Sequence, residues 1–221
     1  MARSLPQSAH RYPLTIALGS EACIRVAREL AMHGGQLSNA ELVRNTRLAP
    51  ATVPRALTAL IDTRLVRASG SGRSRLYHLR HTALTAALTS LFVTEAKRFD
   101  DMLEAARRAA WMADPGALAL WLYGSIARGD DGPASDLDLT LVLGPAAPHT
   151  ASEDFRDRLA RPGRQHGFDP KVVTLTADEL VRLTDEKDPW MVSMRFDVRV
   201  LFGTDPDQLT AMIRRARNLA A

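Results

Sequence analysis

From Ser20 to His33 the apolar residues Cys23, Ile24, Ala27, Leu30 and Ala31 recur at the spacing of one helix face. Ser20 is placed to cap the start, and Gly34-Gly35 to end it. A second short helix, NAELVRNT, follows Ser38, and Ser38-x-x-Glu41 has the form of a capping box. A third is predicted over ATVPRALTALIDTR, with Pro50 at the favoured first position. Val53, Leu57, Leu60 and Ile61 would face inward, leaving Thr52, Arg55 and Arg64 outside. The pattern then changes, and LVRASGSGRSRLYHLR reads as strand, SGSG tip and strand, a two-stranded ribbon. Residues 82–111 return to helical spacing without Pro or Gly. Leu84, Leu88, Leu91, Phe92, Phe99, Met102, Leu103 and Ala106 form a broad apolar stripe there. A helix of about 28 residues would run about 42 Å, too long for a mere connector.

Asp114-Pro115-Gly116 closes that helix. Residues 117–123 (ALALWLY) form an apolar strand that breaks at Gly124-Ser125. A polar run with Arg128, Gly129, Asp130 and Asp131 leads to a turn at Gly132-Pro133. In the strand that follows, Asp136 and Asp138 share one face while Leu137 and Leu139 point to the core. Residues 151–161 read as a helix broken at Pro162-Gly163, and 168–176 (FDPKVVTLT) as a third strand. RFDVRVLFG reads as an apolar strand. Residues 177–184 and 205–220 read as helices, the latter packing Leu209, Met212 and Ile213. The predicted class is α+β. The expected parts are an arm (1–13), a helix-and-ribbon domain (14–81), a long linker or dimerisation helix (82–113) and an α/β domain with a mixed sheet (114–221).

Charge sharpens this division. Residues 1–80 carry 12 arginines, no lysine and 4 carboxylates, a net +8, whereas residues 81–221 carry 17 basic and 21 acidic side chains, a net −4. A basic first third on a mildly acidic remainder points to a polyanionic partner for one part only. The lone cysteine, Cys23, sits within a predicted helix and reads as a small core residue. It allows no intrachain disulfide, which suits a reducing cytoplasm. No run of 18 apolar residues exists, and the first residues lack a hydrophobic segment of signal-peptide type, so no membrane role is expected. His149 and His166 lack metal-ligand spacing.

The chemistry concentrates between Leu122 and Leu143. Asp136 and Asp138 stand about 7 Å apart along one strand face. Such a repelling pair is tolerable with a divalent cation between them. Gly124 lets backbone approach a ligand and frees amides for phosphate oxygens. Ser125 can bond a phosphate and cap the short helix that it opens. Gly124-Ser125, ten intervening residues, then Asp136-Leu137-Asp138 resembles the signature of the DNA polymerase β-type nucleotidyltransferases, most closely the minimal ones, with GSIARGD and SDLD at the spacing of that family. A second Gly-Ser pair, Gly19-Ser20, has no such aspartates after it. The resemblance implies an NTP bound with Mg²⁺ at a two-metal site formed by Asp136, Asp138 and a third carboxylate. Asp169 is the first candidate for that carboxylate, with Asp197 in the last apolar strand ranked below it. Gly124 and Ser125 would hold the phosphates, and Arg128 would add positive charge.

The first part, AELVRNTRLAPATVPRALTALIDTRLVRASGSGRSRLYHL, resembles winged helix-turn-helix repressors of the ArsR and MarR types. It departs from them at Pro54, where serine is usual, and at Thr63-Arg64 in place of Ala-Gly. The resemblance implies double-stranded DNA as partner, with Thr52 and Arg55 facing base edges and Arg73 and Arg75 on the wing reaching phosphates. It also implies a homodimer, for which the long helix is the candidate interface. Together the halves read as a DNA-binding regulator with a domain that moves a nucleoside monophosphate onto a protein, RNA or small-molecule hydroxyl. The alternatives are a non-catalytic nucleotide sensor and an antitoxin-like enzyme acting on a partner toxin.

Overall fold

The structure is a computed structural model and describes Gln7, Ser8, His10, Arg11 and residues 19–220, the side chains of Arg73 and Ala220 excepted. The expected arm over residues 1–13 falls mostly outside the described residues. The chain is a mixed α+β protein that divides into two compact units, residues 1–98 and 99–221.

The first unit contains helix α1 (Glu21–His33), strand β1 (Leu37–Ser38), helices α2 (Asn39–Thr46) and α3 (Thr52–Asp62), strands β2 (Val66–Ser69) and β3 (Leu76–Leu79), and the first half of helix α4 (Ala83–Ala113). Local chemistry sets most of these ends. The Ser20 hydroxyl accepts from the Cys23 N–H, and Gly34 closes α1 with φ +70°, where a side chain would be strained. The Ser38–Glu41 capping box forms reciprocally, with Ser38 N–H donating to Glu41 Oε2 at 2.8 Å. Pro50, by contrast, lies outside α3. The Thr52 N–H bonds Ala49 O at 2.8 Å, which puts Pro50 at the second position of a turn ahead of the helix. Its fixed φ suits that position as well as it suits a helix start.

The expected two-stranded ribbon is a three-stranded antiparallel sheet in the order β1-β3-β2. Leu37-Ser38 joins it through Leu37 opposite Tyr77, and two residues are too few to show a period of their own. Val26, Leu30, Leu42, Val53, Leu57 and Phe92 form the core of this unit. Arg28 of α1 and Glu95 of α4 meet there in a buried ion pair at 2.8 Å.

Helix α4 runs 31 residues, about 46 Å. Phe92 is buried in the first core, and Phe99, Met102, Leu103 and Ala106 in a core of the second unit. Not all of its apolar stripe is covered: Leu84 is 66% and Leu91 42% exposed. Asp114, just past its end, is buried and accepts from the N–H groups of Gly116 (2.9 Å) and Gly144 (2.7 Å), which ties the turn to the following sheet.

The second unit holds a four-stranded mixed sheet. Its strands are β4 (Ala119–Tyr123), β5 (Leu137–Val142), β6 (Pro170–Leu175) and β7 (Arg199–Phe202), in the order β6-β5-β4-β7. β4 runs antiparallel to β5 and β7, while β5 and β6 are parallel. One face (Leu120, Leu122, Leu137, Leu139, Leu141) packs with the end of α4 and with helix α6 (Ala151–His166), and helix α5 (Gly124–Arg128) lies between β4 and β5. The other face (Ala119, Trp121, Val142) packs with α7 (Ala177–Asp185), α8 (Pro189–Asp197) and α9 (Pro206–Ala220).

Two expectations fail here. Helix α6 does not break at Pro162-Gly163 but continues to His166, ending at Gly167 with φ +68°. Pro162 forgoes one N–H bond in the last turns, while Phe155 and Leu159 hold the helix to the core. Gly163 is required because a Cβ there would meet Pro170 Cδ at 2.8 Å and Phe168 O at 3.0 Å. Asp197 is the last residue of helix α8, not part of a strand. Asp188 caps α8 by accepting from the N–H groups of Trp190 (2.9 Å) and Met191 (3.2 Å), with Pro189 at the first position. That cap outweighs the strand propensity of RFDVRVLFG, of which only Arg199–Phe202 is strand.

Candidate functional site

Strand β4 delivers the chain to Tyr123, and the backbone turns at Gly124 with φ +75°. A Cβ at Gly124 would collide with Asp138 Oδ2, so the glycine serves both the turn and the close approach of the Asp138 carboxylate. Ser125 is not the cap of α5. Tyr123 holds that position without a side-chain bond, and Ser125 lies within the helix. Its hydroxyl makes no hydrogen bond with another described residue, while its carbonyl accepts from Gly129 N–H at 2.8 Å and Asp130 N–H at 3.2 Å.

The turn into β5 is closed by Ser135, whose hydroxyl accepts from Gly132 N–H at 3.0 Å and whose N–H donates to Gly132 O at 3.1 Å. Asp136 follows, half-buried, just before β5. Asp138 is also half-buried and lies opposite Tyr123 of β4 and opposite Lys171 of β6. Burial and then the neighbouring Asp136 push the Asp138 carboxyl above its ordinary pKa, with Arg128 and Lys171 pulling it back. The Asp136–Asp138 repulsion read from the sequence is therefore present.

The other named residues stand around this pair with partners of their own. Arg128 donates to Asp130 at 3.2 Å and to Asp197 at 2.5 Å, and these bonds raise its pKa. Asp197 thus reaches the neighbourhood from α8 by pairing with Arg128. Asp169 lies just ahead of β6, where its carbonyl accepts from Leu137 N–H at 2.8 Å. Its carboxylate is exposed and pairs with Lys171 at 3.1 Å. Lys171 was not legible as a site residue. Its bond with Asp169, with the charges of Asp136 and Asp138, raises its pKa. The only local signal was its alternation with Asp169 in FDPKVV; its place beside Asp138 depends on the register of a parallel strand pair. Next to Asp169 and Lys171 a groove of about 480 Å³ is also lined by Arg156 and Arg164 of α6.

Among the described residues no group of three or more His, Cys, Asp or Glu side chains is arranged to hold a metal ion. The Asp136–Asp138 pair nevertheless suits Mg²⁺, which is commonly held by one or two carboxylates with substrate phosphates and water completing the shell. A cation there would offset both the burial and the Asp136 charge that raise the Asp138 pKa. Chemically, the site offers two adjacent carboxylates, an uncommitted hydroxyl and a backbone bend open to close approach.

In the first unit, Thr52 is half-buried at the start of α3, and Arg55 is exposed one turn later. The residues three apart lie on one side of the helix. Arg75 is exposed just before β3, with its guanidinium 5.7 Å from the Tyr77 ring centroid. Arg73 lies in a 3₁₀ turn over Gly72–Ser74, and its side chain falls outside the described residues. Neither Arg55 nor Arg75 has a carboxylate partner among the described residues.

Among the described residues no helix is long and apolar enough to cross a membrane. No family model matches the chain, and no curated protein matches it. Among solved structures, one described as a toxin-antitoxin with AMP-PNP is 14% identical, covering 53% of this chain and 88% of that chain at a TM-score of 0.36. A mutant of the toxin-antitoxin MntA-HpeT is 12% identical, covering 55% of this chain and 87% of that chain at 0.33. At these scores the likeness adds nothing to the reading of the site.

Proposed function

We propose that the second unit is a nucleotidyltransferase that binds an NTP with Mg²⁺ and passes the nucleoside monophosphate to a hydroxyl acceptor. The observation that carries this reading is the seating of the Asp138 carboxylate against Gly124, beside Asp136 and the free Ser125 hydroxyl. Asp136 and Asp138 hold the cation, which when bound supplies charge neutralisation at the phosphates. Ser125 and the backbone at Gly124 bond phosphate oxygens. Asp169, released from Lys171, takes the acceptor's proton as the acceptor oxygen bonds the α-phosphorus and the bond to pyrophosphate breaks. Lys171 and Arg128 then balance the charge of the departing group.

A second reading is favoured by one observation. The Asp169 carboxylate is engaged by Lys171, and an engaged base suits nucleotide binding without turnover. Incubation with each labelled NTP, Mg²⁺ and cell lysate separates the two. Label transfer that disappears in Asp136→Ala/Asp138→Ala supports the transferase, and an RNA, small-molecule or protein band, including a partner toxin, identifies the acceptor. Nucleotide binding without transfer supports the sensor, and no nucleotide binding at all defeats both.

For the first unit we infer a winged-helix DNA-binding module. The order helix, strand, helix, helix, strand, strand and the exposed Arg55 and Arg75 support it. Arg55→Ala should weaken DNA binding and relax its sequence preference, whereas Arg73→Ala should mainly reduce the salt slope. Unchanged binding in both would rule the module out as a DNA reader.

A further inference from the structure

Strand β6 is an edge of the second unit's sheet, with β5 on one side only. The Leu137 and Leu143 N–H groups donate to Asp169 O and Leu175 O, both at 2.8 Å, so residues at odd positions of this strand turn their peptide groups to β5. Val172 therefore turns its N–H and C=O to the free edge, as Pro170 turns its C=O, and these groups have no hydrogen-bond partner there among the described residues. Pro170 suits such an outward position, since it has no N–H to give β5. The groove of about 480 Å³ follows this edge: Val172 and Val173, whose side chains lie on opposite faces of the sheet, both line it. Helix α6 forms the facing wall through Arg156, Leu159 and Arg164. Both arginines are exposed, and neither has an ion pair among the described residues. Lys171 adds a third cation, and Asp169, the single carboxylate in the lining among the described residues, is paired with it. Phe168, the single aromatic residue there, is 6% exposed.

We propose that this edge takes an extended acidic segment of a partner polypeptide as a further strand of the sheet. The Val172 N–H and C=O and the Pro170 C=O supply the main-chain hydrogen bonds. Alternate side chains of the segment divide by face: apolar ones rest on Leu159 and Val172, and Asp or Glu meets Arg156, Arg164 and Lys171. An unpaired edge is a template for another chain, and the three cations restrict it to an acidic one. A nucleic-acid strand fits less well, because the groove offers no exposed aromatic face on which a base could stack. Residues 169–173 run about 13 Å, enough to pair with a strand of about four residues.

The test uses the full chain without nucleotide, so its outcome is independent of the label-transfer result. The probe is a fluorescein-labelled decapeptide of alternating Glu and Val, read by anisotropy. It should bind saturably, and a Lys-Val decapeptide should not displace it. Oligothymidylate of equal charge should displace it about tenfold less well than the unlabelled parent peptide. N-methylation of every Val, or of every Glu, removes the N–H groups along one edge of the peptide or the other. One of the two methylated peptides should therefore bind about tenfold more weakly, and the other like the parent. Arg156→Glu/Arg164→Glu should weaken the parent about tenfold by reversing the facing charges. No saturable binding, displacement by oligothymidylate equal to that by the parent, both methylated peptides binding as the parent does, or parent affinity unchanged in the double variant would overturn the proposal. The peptide series on the unaltered chain decides the matter even if the variant fails to fold.

Discussion

A methyl group at Gly124 would press on the Asp138 carboxylate. Gly124→Ala should therefore turn that carboxyl away from Asp136, and it also places a side chain at φ +75°, a cost of about 1–2 kcal/mol. The expected outcome is a loss of nucleotide affinity larger than the loss of stability, read by calorimetry and by a urea midpoint on the same protein. Equal losses would mean that the glycine serves only the turn. Asp138 gives a pH test. Burial and Asp136 raise its folded pKa above the unfolded value, so its contribution to stability is fully present below the unfolded pKa and is lost as pH rises through the folded one. In the cation-free chain, Asp138→Asn should raise the thermal midpoint at neutral pH, and the gain should shrink as pH falls toward the unfolded pKa, about 3.9. A gain that is constant across that window would sink the assignment. Asp136 and Asp138 were legible because alternation along a strand is local. Lys171 was not, because its neighbour Asp138 sits across a parallel strand pair.

Elements were readable where their signals lie within a few residues. The caps at Ser20, Ser38 and Gly34 fall where the residues direct. Pro162 misled because tertiary burial of Phe155 and Leu159 holds helix α6 past it. Asp197 misled because β-branched neighbours suggest a strand, whereas the Asp188-Pro189 start commits the segment to a helix. Within the first unit, the Arg28–Glu95 pair links α1 to α4, and its side chains are 7% and 3% exposed. Replacing only Glu95 with Ala removes the carboxylate that faces the buried Arg28 guanidinium, a cost of about 3–5 kcal/mol. The urea midpoint should fall accordingly, while Arg28→Met/Glu95→Leu should recover much of the loss. A single variant with an unchanged midpoint would show that the pair contributes only specificity.

At the scale of the whole molecule, the exposed Leu84 and Leu91 lie seven apart on one side of α4, unburied by their own chain. This suits the homodimer expected from the sequence, with the long helix as its interface. Light scattering at micromolar concentration should give twice the chain mass, and Leu84→Asp/Leu91→Asp should give the single mass. A monomeric unaltered chain would remove the dimer. The charge contrast between the two parts of the chain leads to a related expectation: DNA affinity should fall steeply with salt and be retained when Asp136 and Asp138 are both replaced.

The amino-acid order alone determined most of the helices, the caps at Ser20, Gly34 and Ser38, the α+β class, the alternation that puts Asp136 and Asp138 on one face, and the uneven charge. All of these depend on spacings of two to four residues or on composition. The tertiary structure decided that β1 joins the first sheet and that β6 runs parallel beside β5. It also decided that Lys171 stands by Asp138, and that Arg128 pairs with Asp197, 69 positions away. Those contacts arise when distant strands choose a register and helices choose a face, and that choice is made by burying a shared core rather than by any local spacing.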